Sequence, residues 1–234
     1  MNFTLTPRLK ECCQYIKPGD RIADIGCDHG YLAVYLLKNH MVSSVIAADI
    51  HEGPLQSAVL NSSRYGVREH MSFYLSDGLK SVPRDFSCIV CAGMGAQTII
   101  SILDAAPWLR SPNYRMVLQC QTKNCLLRRY LSQTGWYIHQ ESIVRDGRFL
   151  YTVMSVVWDP GHPLTPGETY FSPALLSTRS PYLPEHYRRI VKGLQQAVEG
   201  RGRQNVPYMA AACDELLSDP TFCWMKEDLH DYCK

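Results

Sequence analysis

Two textures alternate along the chain. Short apolar runs ending in glycine or aspartate are each followed by a stretch with helical spacing. The first run is Ile22, Ala23 and Ile25, closed by Gly26; Gly30 and the apolar stretch Tyr31 to Leu37 follow. This order predicts a strand, a tight turn and a helix. Ahead of it, Leu5, Leu9, Cys12, Cys13 and Ile16 recur at helical spacing behind Thr6-Pro7, and Lys17-Pro18-Gly19-Asp20 ends that helix. Further strands are expected at 43–50, 71–78, 86–94 and 114–120, with helices at 53–65, 96–106 and 123–134. Two long alternating runs over 136–158 flank Asp146-Gly147, a strong hairpin signal. Strand–helix units in series imply a parallel sheet with right-handed crossovers, here finished by an antiparallel hairpin.

After Trp158 the texture changes. Asp159 to Gly167 is rich in proline and glycine and reads as a linker. Helical spacing returns at 168–177, 185–199 and 207–218, and no pattern is readable from Phe222 on. The expected organisation is an α/β domain over 1–159 and a small helical appendage over 160–234.

Composition narrows the class. The chain has 234 residues, 46% hydrophobic and 20% charged, with a net charge of +2, ordinary values for a globular protein. No apolar run approaches the roughly 18 residues a membrane helix needs, and the N-terminus lacks a secretory pattern. Ten cysteines without such a pattern suggest free thiols in a reducing, cytoplasmic setting. Cys88 and Cys91 fall in a predicted strand, where residues three apart face opposite sides, so they are not expected to share a metal. The small net charge advertises no nucleic-acid field. Between Arg179 and Arg203, however, six basic residues meet two acidic ones. That segment faces phosphates or is simply a solvated helix face.

The turn after the first strand carries the chemistry. It lacks the G-x-G-x-x-G of dinucleotide sites and the lysine of a P-loop. Asp24, two residues before Gly26, suits a ligand bearing an ammonium group, such as the amino-acid half of S-adenosylmethionine. A generic strand-to-helix turn is the alternative. Asp49, about 20 residues beyond the glycine turn, accepts from ribose hydroxyls or caps the next helix. Asp77 accepts from an adenine amine or belongs to a plain Asp-Gly turn. Gly93-Met94-Gly95 reads as a loop whose backbone approaches a ligand. With acids at three successive strand ends, Asp24, Asp49 and Asp77 are expected to converge on one crevice.

Ala-Asp-Ile-Gly-x-Asp-His-x-Tyr-Leu at 23–32 resembles the bacterial tRNA adenine-N1 methyltransferases that modify adenine-22. So do Glu52-Gly53-Pro54 with Ser57-Ala58, Asp77-Gly78-Leu79, Ala92-Gly93-Met94-Gly95, and the region from Gly135 to Tyr151 with Glu141 and Asp146-Gly147. The resemblance covers roughly residues 5–200. It implies a Rossmann-like class I methyltransferase domain with a C-terminal helical, coiled-coil-like domain. It implies S-adenosyl-L-methionine as cofactor, held by Asp24, Gly26, Asp49, Ile50, Asp77, Gly78 and Gly93. Asp28 and His29, with Gly93, Met94 and Gly95, would face the target base. Beyond the resemblance, Asp28 and His29 are the catalytic candidates on chemical grounds, and Arg188 and Arg189 of the basic 179–203 segment are the candidate tRNA contacts. No metal or membrane is implied, and a monomer is expected. The family's Gln-Pro-Asn is here Gln119-Cys120-Gln121, Asp49 stands for a usual Glu, and Ala96 for a usual Gly.

Chemically, Asp28 either stabilises the cationic ring formed on N1-methylation or caps the helix behind it. His29 contacts the base or fixes the turn. Rival readings are a small-molecule methyltransferase and a non-catalytic RNA-binding relative. A cytosine-C5 enzyme would need a cysteine nucleophile, for which Cys120 is the only candidate.

Overall fold

The computed structural model describes residues 3–226; 227–234 of the expected appendage lie outside the described residues. Helix α1 (Pro7–Cys13) precedes five strands, four of them followed by a helix: β1 (Ile22–Ile25), α2 (Tyr31–Lys38), β2 (Val45–Asp49), α3 (Glu52–Arg64), β3 (Met71–Leu75), β4 (Cys88–Gly95), α4 (Ala96–Asp104), β5 (Arg115–Thr122) and α5 (Asn124–Gln133). The hairpin is β6 (Trp136–Asp146) and β7 (Phe149–Trp158), and α6 (Pro173–Ser177), α7 (Leu183–Arg201) and α8 (Pro207–Ser218) follow. The seven strands lie in the order β3-β2-β1-β4-β5-β7-β6. β1 to β5 pair in parallel, and β7 runs antiparallel to both of its neighbours.

Each sheet face buries its own core, the reason the parallel strands read as continuous apolar runs. Ile25, Ile89, Cys91, Met116 and Leu118 pack with α4 and α5. Ile22, Val45, Cys88, Val90 and Val117 pack with α1, α2 and α3. Cys88 and Cys91 therefore lie on opposite sides of the sheet, as the strand period requires. Among the described residues no cluster of His, Cys, Asp or Glu is able to hold a metal, and no helix is long and apolar enough to cross a membrane.

The hairpin has two distinct faces. Asp146 pairs with Phe149 and Val144 with Tyr151, so these four share one side; Arg145 and Leu150 pair on the other. The first side meets α1, where Arg8 lies beside Asp146 and Tyr151. The second side packs Ile143 and Leu150 into a third core with Phe171, Leu175, Tyr187, Leu194 and Leu216 of the C-terminal helices. A buried network ties this junction. The Arg128 Nη2 donates to Glu141 at 2.6 Å, Nη1 donates to the carbonyls of Thr169 and Tyr170 at 3.0 Å, and Ser172 Oγ donates to Glu141 at 2.5 Å.

Several expectations shift. The strand expected over 71–78 stops at Leu75: Ser76 N–H makes the last ladder bond, to the Asp49 carbonyl, and Ser76 Oγ then accepts from Ser81 N–H in the turn that follows. The helix expected over 168–177 is confined to Pro173–Ser177, since the residues before it form turns whose carbonyls serve Arg128. The hairpin turn is Gly147-Arg148, with Gly147 at φ +60°, so glycine takes the first turn position rather than the second.

Candidate functional site

The strand order reverses at β1, which has β2 on one side and β4 on the other. Open α/β sheets bind ligands at such a point, beyond the carboxyl ends of the strands. Here the turn after β1 faces the end of β4. The N–H groups of Gly26 and Cys27 donate to the Ala48 carbonyl at 2.8 and 3.0 Å, folding the turn onto β2. Gly26 has φ +68° and Gly30 φ +69°, conformations that favour glycine. A Cβ on Gly30 would lie 2.8 Å from the Ala58 Cβ, so α3 sits directly against the turn. Opposite, Gly93 N–H donates to Gln119 Oε1 at 2.9 Å. The stretch Gly93-Met94-Gly95, expected as a loop, is instead the bulged end of β4, still paired with β5.

Two cavities share Gly26 and Met94 as common walls. One, about 220 Å³, is lined by Ile50, Asp77, Gly78, Thr98 and Ser101. The other, about 330 Å³, is lined by Asp24, Asp28, His29, Arg8, Gly93 and Gln121. The Met94 thioether lies over the turn, its Cε 2.2 Å from where a Gly26 Cβ would be.

The three acids thus do not converge on a single crevice. Asp24 is buried in the second cavity, and its Oδ2 has no hydrogen-bond partner. Burial, with Asp49 nearby as a second negative charge, pushes the Asp24 carboxyl up to about 7. Asp77 borders the first cavity two residues beyond β3, exposed and 2.5 Å from Lys80 Nζ. Asp49 lines neither cavity. Its Oδ2 accepts from Asp28 N–H and its Oδ1 from His51 N–H, both at 3.0 Å, so it braces the turn from behind. Each of those oxygens retains a further lone pair.

Asp28 does not cap α2. The cap position is Gly30, with no side-chain bond, and Asp28 itself is at φ +50° with an exposed carboxylate. The His29 ring is exposed, 3.5 Å from that carboxylate, and only its backbone carbonyl, accepting from Asn61 Nδ2 at 3.0 Å, holds the turn. Gly95 lies beside Met94 but lines neither cavity described above. Arg188 and Arg189 are on α7, across the hairpin from the cavities; Arg189 is exposed, 3.3 Å from His186 Nδ1. Cys120 is fully buried and its thiol is pushed up to about 11 by burial, the opposite of what a nucleophile needs. Sequence reasoning missed Arg8 as a cavity residue. Nothing local to α1 signals that it closes the crevice. Gln121 stood out only as a departure from the family pattern.

Asp24 also tests what this cavity accepts. A buried carboxylate oxygen without a donor, beside a glycine turn, fits a cationic group and not a phosphate.

A family described as a methyltransferase domain matches residues 5–154. The tRNA (adenine(22)-N(1))-methyltransferase of Bacillus subtilis is 32% identical over 151 residues, 64% of this chain and 63% of that protein. The match thus spans under two thirds of that relative's length. A Mycoplasma genitalium protein, provisionally classed as a tRNA methyltransferase, is 30% identical over 74% of this chain and 79% of its own. Among solved structures, the B. subtilis m1A22 tRNA methyltransferase aligns with TM-score 0.80 at 25% identity, covering 97% of this chain and 99% of that one. A Streptococcus pneumoniae protein, provisionally classed as a tRNA (m1A22) methyltransferase and crystallised with S-adenosyl-L-methionine, aligns with TM-score 0.78 at 29% identity, covering 89% and 98%.

Proposed function

The chain belongs to the methyltransferase-domain family, and on that footing we propose that it transfers a methyl group from S-adenosyl-L-methionine to N1 of adenine-22 in tRNA. The observation that carries this reading is the end-to-end likeness to the B. subtilis m1A22 enzyme, a TM-score of 0.80 over 97% of this chain and 99% of that one. The unpartnered Asp24 carboxylate supplies the chemical fit to the cofactor's ammonium group.

The cofactor supplies a methyl already activated on sulfonium. The protein's work is therefore alignment and exclusion of water. Asp24 holds the ammonium. Asp49 keeps the turn in shape and offers its remaining lone pairs to the ribose. Ile50, Asp77 and Gly78 border the first cavity, where the nucleoside half of the cofactor fits. The target base enters beside Asp28, His29 and Gly93. Adenine N1 has a lone pair of its own, so no strong base is needed. The ring turns cationic as the bond forms, and the Asp28 carboxylate stabilises that charge. Asp28→Asn should then lower kcat about 100-fold and leave the Kd for the cofactor unchanged. A fall in cofactor affinity alone would assign Asp28 to binding instead.

N1 lies on the Watson–Crick edge, so the base must leave its pair or stack. Arg188 and Arg189 serve as phosphate contacts on the helical side. Reversing both to Glu should weaken tRNA binding with cofactor binding intact, and unchanged tRNA affinity would remove that role. The decisive experiment is transfer from labelled S-adenosyl-L-methionine to unmodified bacterial tRNA, with the product nucleoside mapped. 1-Methyladenosine at position 22 is the expected product. Cofactor binding without any labelled tRNA would favour a small-molecule substrate or a binding role. The protein is expected to act in the cytoplasm, where tRNA is modified.

A further inference from the structure

A line of rings and guanidinium groups leads out of the second cavity. Arg8 lines that cavity, and its guanidinium stands 5.9 Å from the Tyr151 ring. Tyr151 is 6.2 Å from Phe149, and the Arg148 guanidinium is 4.9 Å from the Phe149 ring. The strand register puts Tyr151 and Phe149 on one face of the hairpin, the face toward α1 and the cavity. Phe149 is 46% exposed, a large apolar ring left in water at a hairpin tip. Arg148 is exposed as well, and among the described residues no acid pairs with it. Two acids border the line but are taken up: Asp146 lies 4.0 Å from Arg8, and Glu185 pairs with Arg145 on the opposite face.

We propose that this face is the docking surface for the RNA strand flanking the target adenine. An unstacked neighbouring base lies on Phe149, and the adjoining phosphate meets Arg148. This rests on the tRNA-methylating function proposed above. The physical reason is that drawing one base into a pocket unstacks its neighbours. An exposed neighbouring base regains stacking on an aromatic side chain, without regard to its identity. A guanidinium lying against the same ring holds the backbone beside that base. Arg8 links the two regions, because it touches the cavity and the ring track together. Arg188 and Arg189 sit across the hairpin, so this surface is separate from theirs.

The test uses the full-length protein, a fluorescein-labelled tRNA transcript, and the variants Phe149→Leu, Phe149→Trp and Arg148→Glu. Leucine keeps an apolar side chain and removes the π face. Phe149→Leu should raise both the Kd and the KM for tRNA about 10-fold, with kcat and cofactor Kd within about twofold of wild type. Phe149→Trp should restore them, which a merely structural role for Phe149 would not predict. Arg148→Glu should weaken binding and reduce the salt dependence of affinity by about one counterion. Wild-type affinity for tRNA in Phe149→Leu and Arg148→Glu would overturn the proposal. Wild-type protein that bound no tRNA would overturn it too. If wild-type protein bound tRNA but methylated none, the proposed activity would fail while the affinities still judged this surface.

Discussion

Asp24→Asn should nearly abolish cofactor binding while making the ligand-free protein more stable at pH 8. The two effects have opposite signs and one cause. Asp24 Oδ2 is buried without a donor, and burial pushes the carboxyl up to about 7 from a reference value of 3.8. Between those values the native state holds a proton that the unfolded chain has released. Stability therefore falls as pH rises through that window and levels off above about 7. Asparagine removes the charge and with it the slope. For the cofactor the sign reverses, because an ammonium group needs the ionised carboxylate. Wild-type affinity should tighten from pH 6 to 8, whereas the Asn variant should bind about 30-fold or more weakly, the ~2–5 kcal/mol typical of truncating a buried charge pair, with a flatter pH profile. Calorimetric titration and thermal melts across pH 5–8 read both halves. An Asn variant less stable than wild type at pH 8, or one that bound the cofactor normally, would refute the assignment.

Glu141→Leu should cost about 3–5 kcal/mol of stability, the usual result of leaving a buried charge without its partner. The Arg128 guanidinium is almost wholly enclosed, its Nε and Nη2 donating to Glu141 and its Nη1 to the carbonyls of Thr169 and Tyr170. Its positive charge has no route to water once the carboxylate is gone. The double variant Arg128→Met/Glu141→Leu should recover most of the loss, since an apolar pair of similar volume avoids the desolvation cost. Urea unfolding of both variants tests this. A Glu141→Leu protein as stable as wild type would show that Arg128 is already adequately satisfied by the two carbonyls.

The sequence reveals the local geometry of the turn and little of its long-range bracing. The strand–turn–helix at 22–38 is legible because an apolar run, Gly26 and Gly30 fall within one short window. The hairpin is legible because period-two alternation persists on both sides of Asp146-Gly147. Two features are not. Asp49 reads as a ribose acceptor or a helix cap at a strand end, but its bond to the Asp28 N–H crosses 21 residues and depends on how β2 lies against the turn. Arg8 reaches the cavity only because α1 packs beneath the hairpin, and no spacing in α1 encodes that. Glu141 falls within the stretch that carries the family resemblance, but its buried partner Arg128 is on a helix where an arginine reads as a surface residue.

Gly30 and Ala58 also constrain how this protein is able to diverge. A side chain at 30 would meet the Ala58 Cβ at 2.8 Å and its Cα at 3.2 Å, and the backbone there is left-handed. Trimming position 58 to glycine removes the first obstacle, but the second is main chain and the third is conformational. No single compensating replacement opens position 30. A lineage drifting under selection for folding meets a wall there, because every neighbouring genotype must also move α3. The helix that follows the second strand is thus inherited together with the glycine turn after β1, and insertions have freer ground in the hairpin tip and the C-terminal helices.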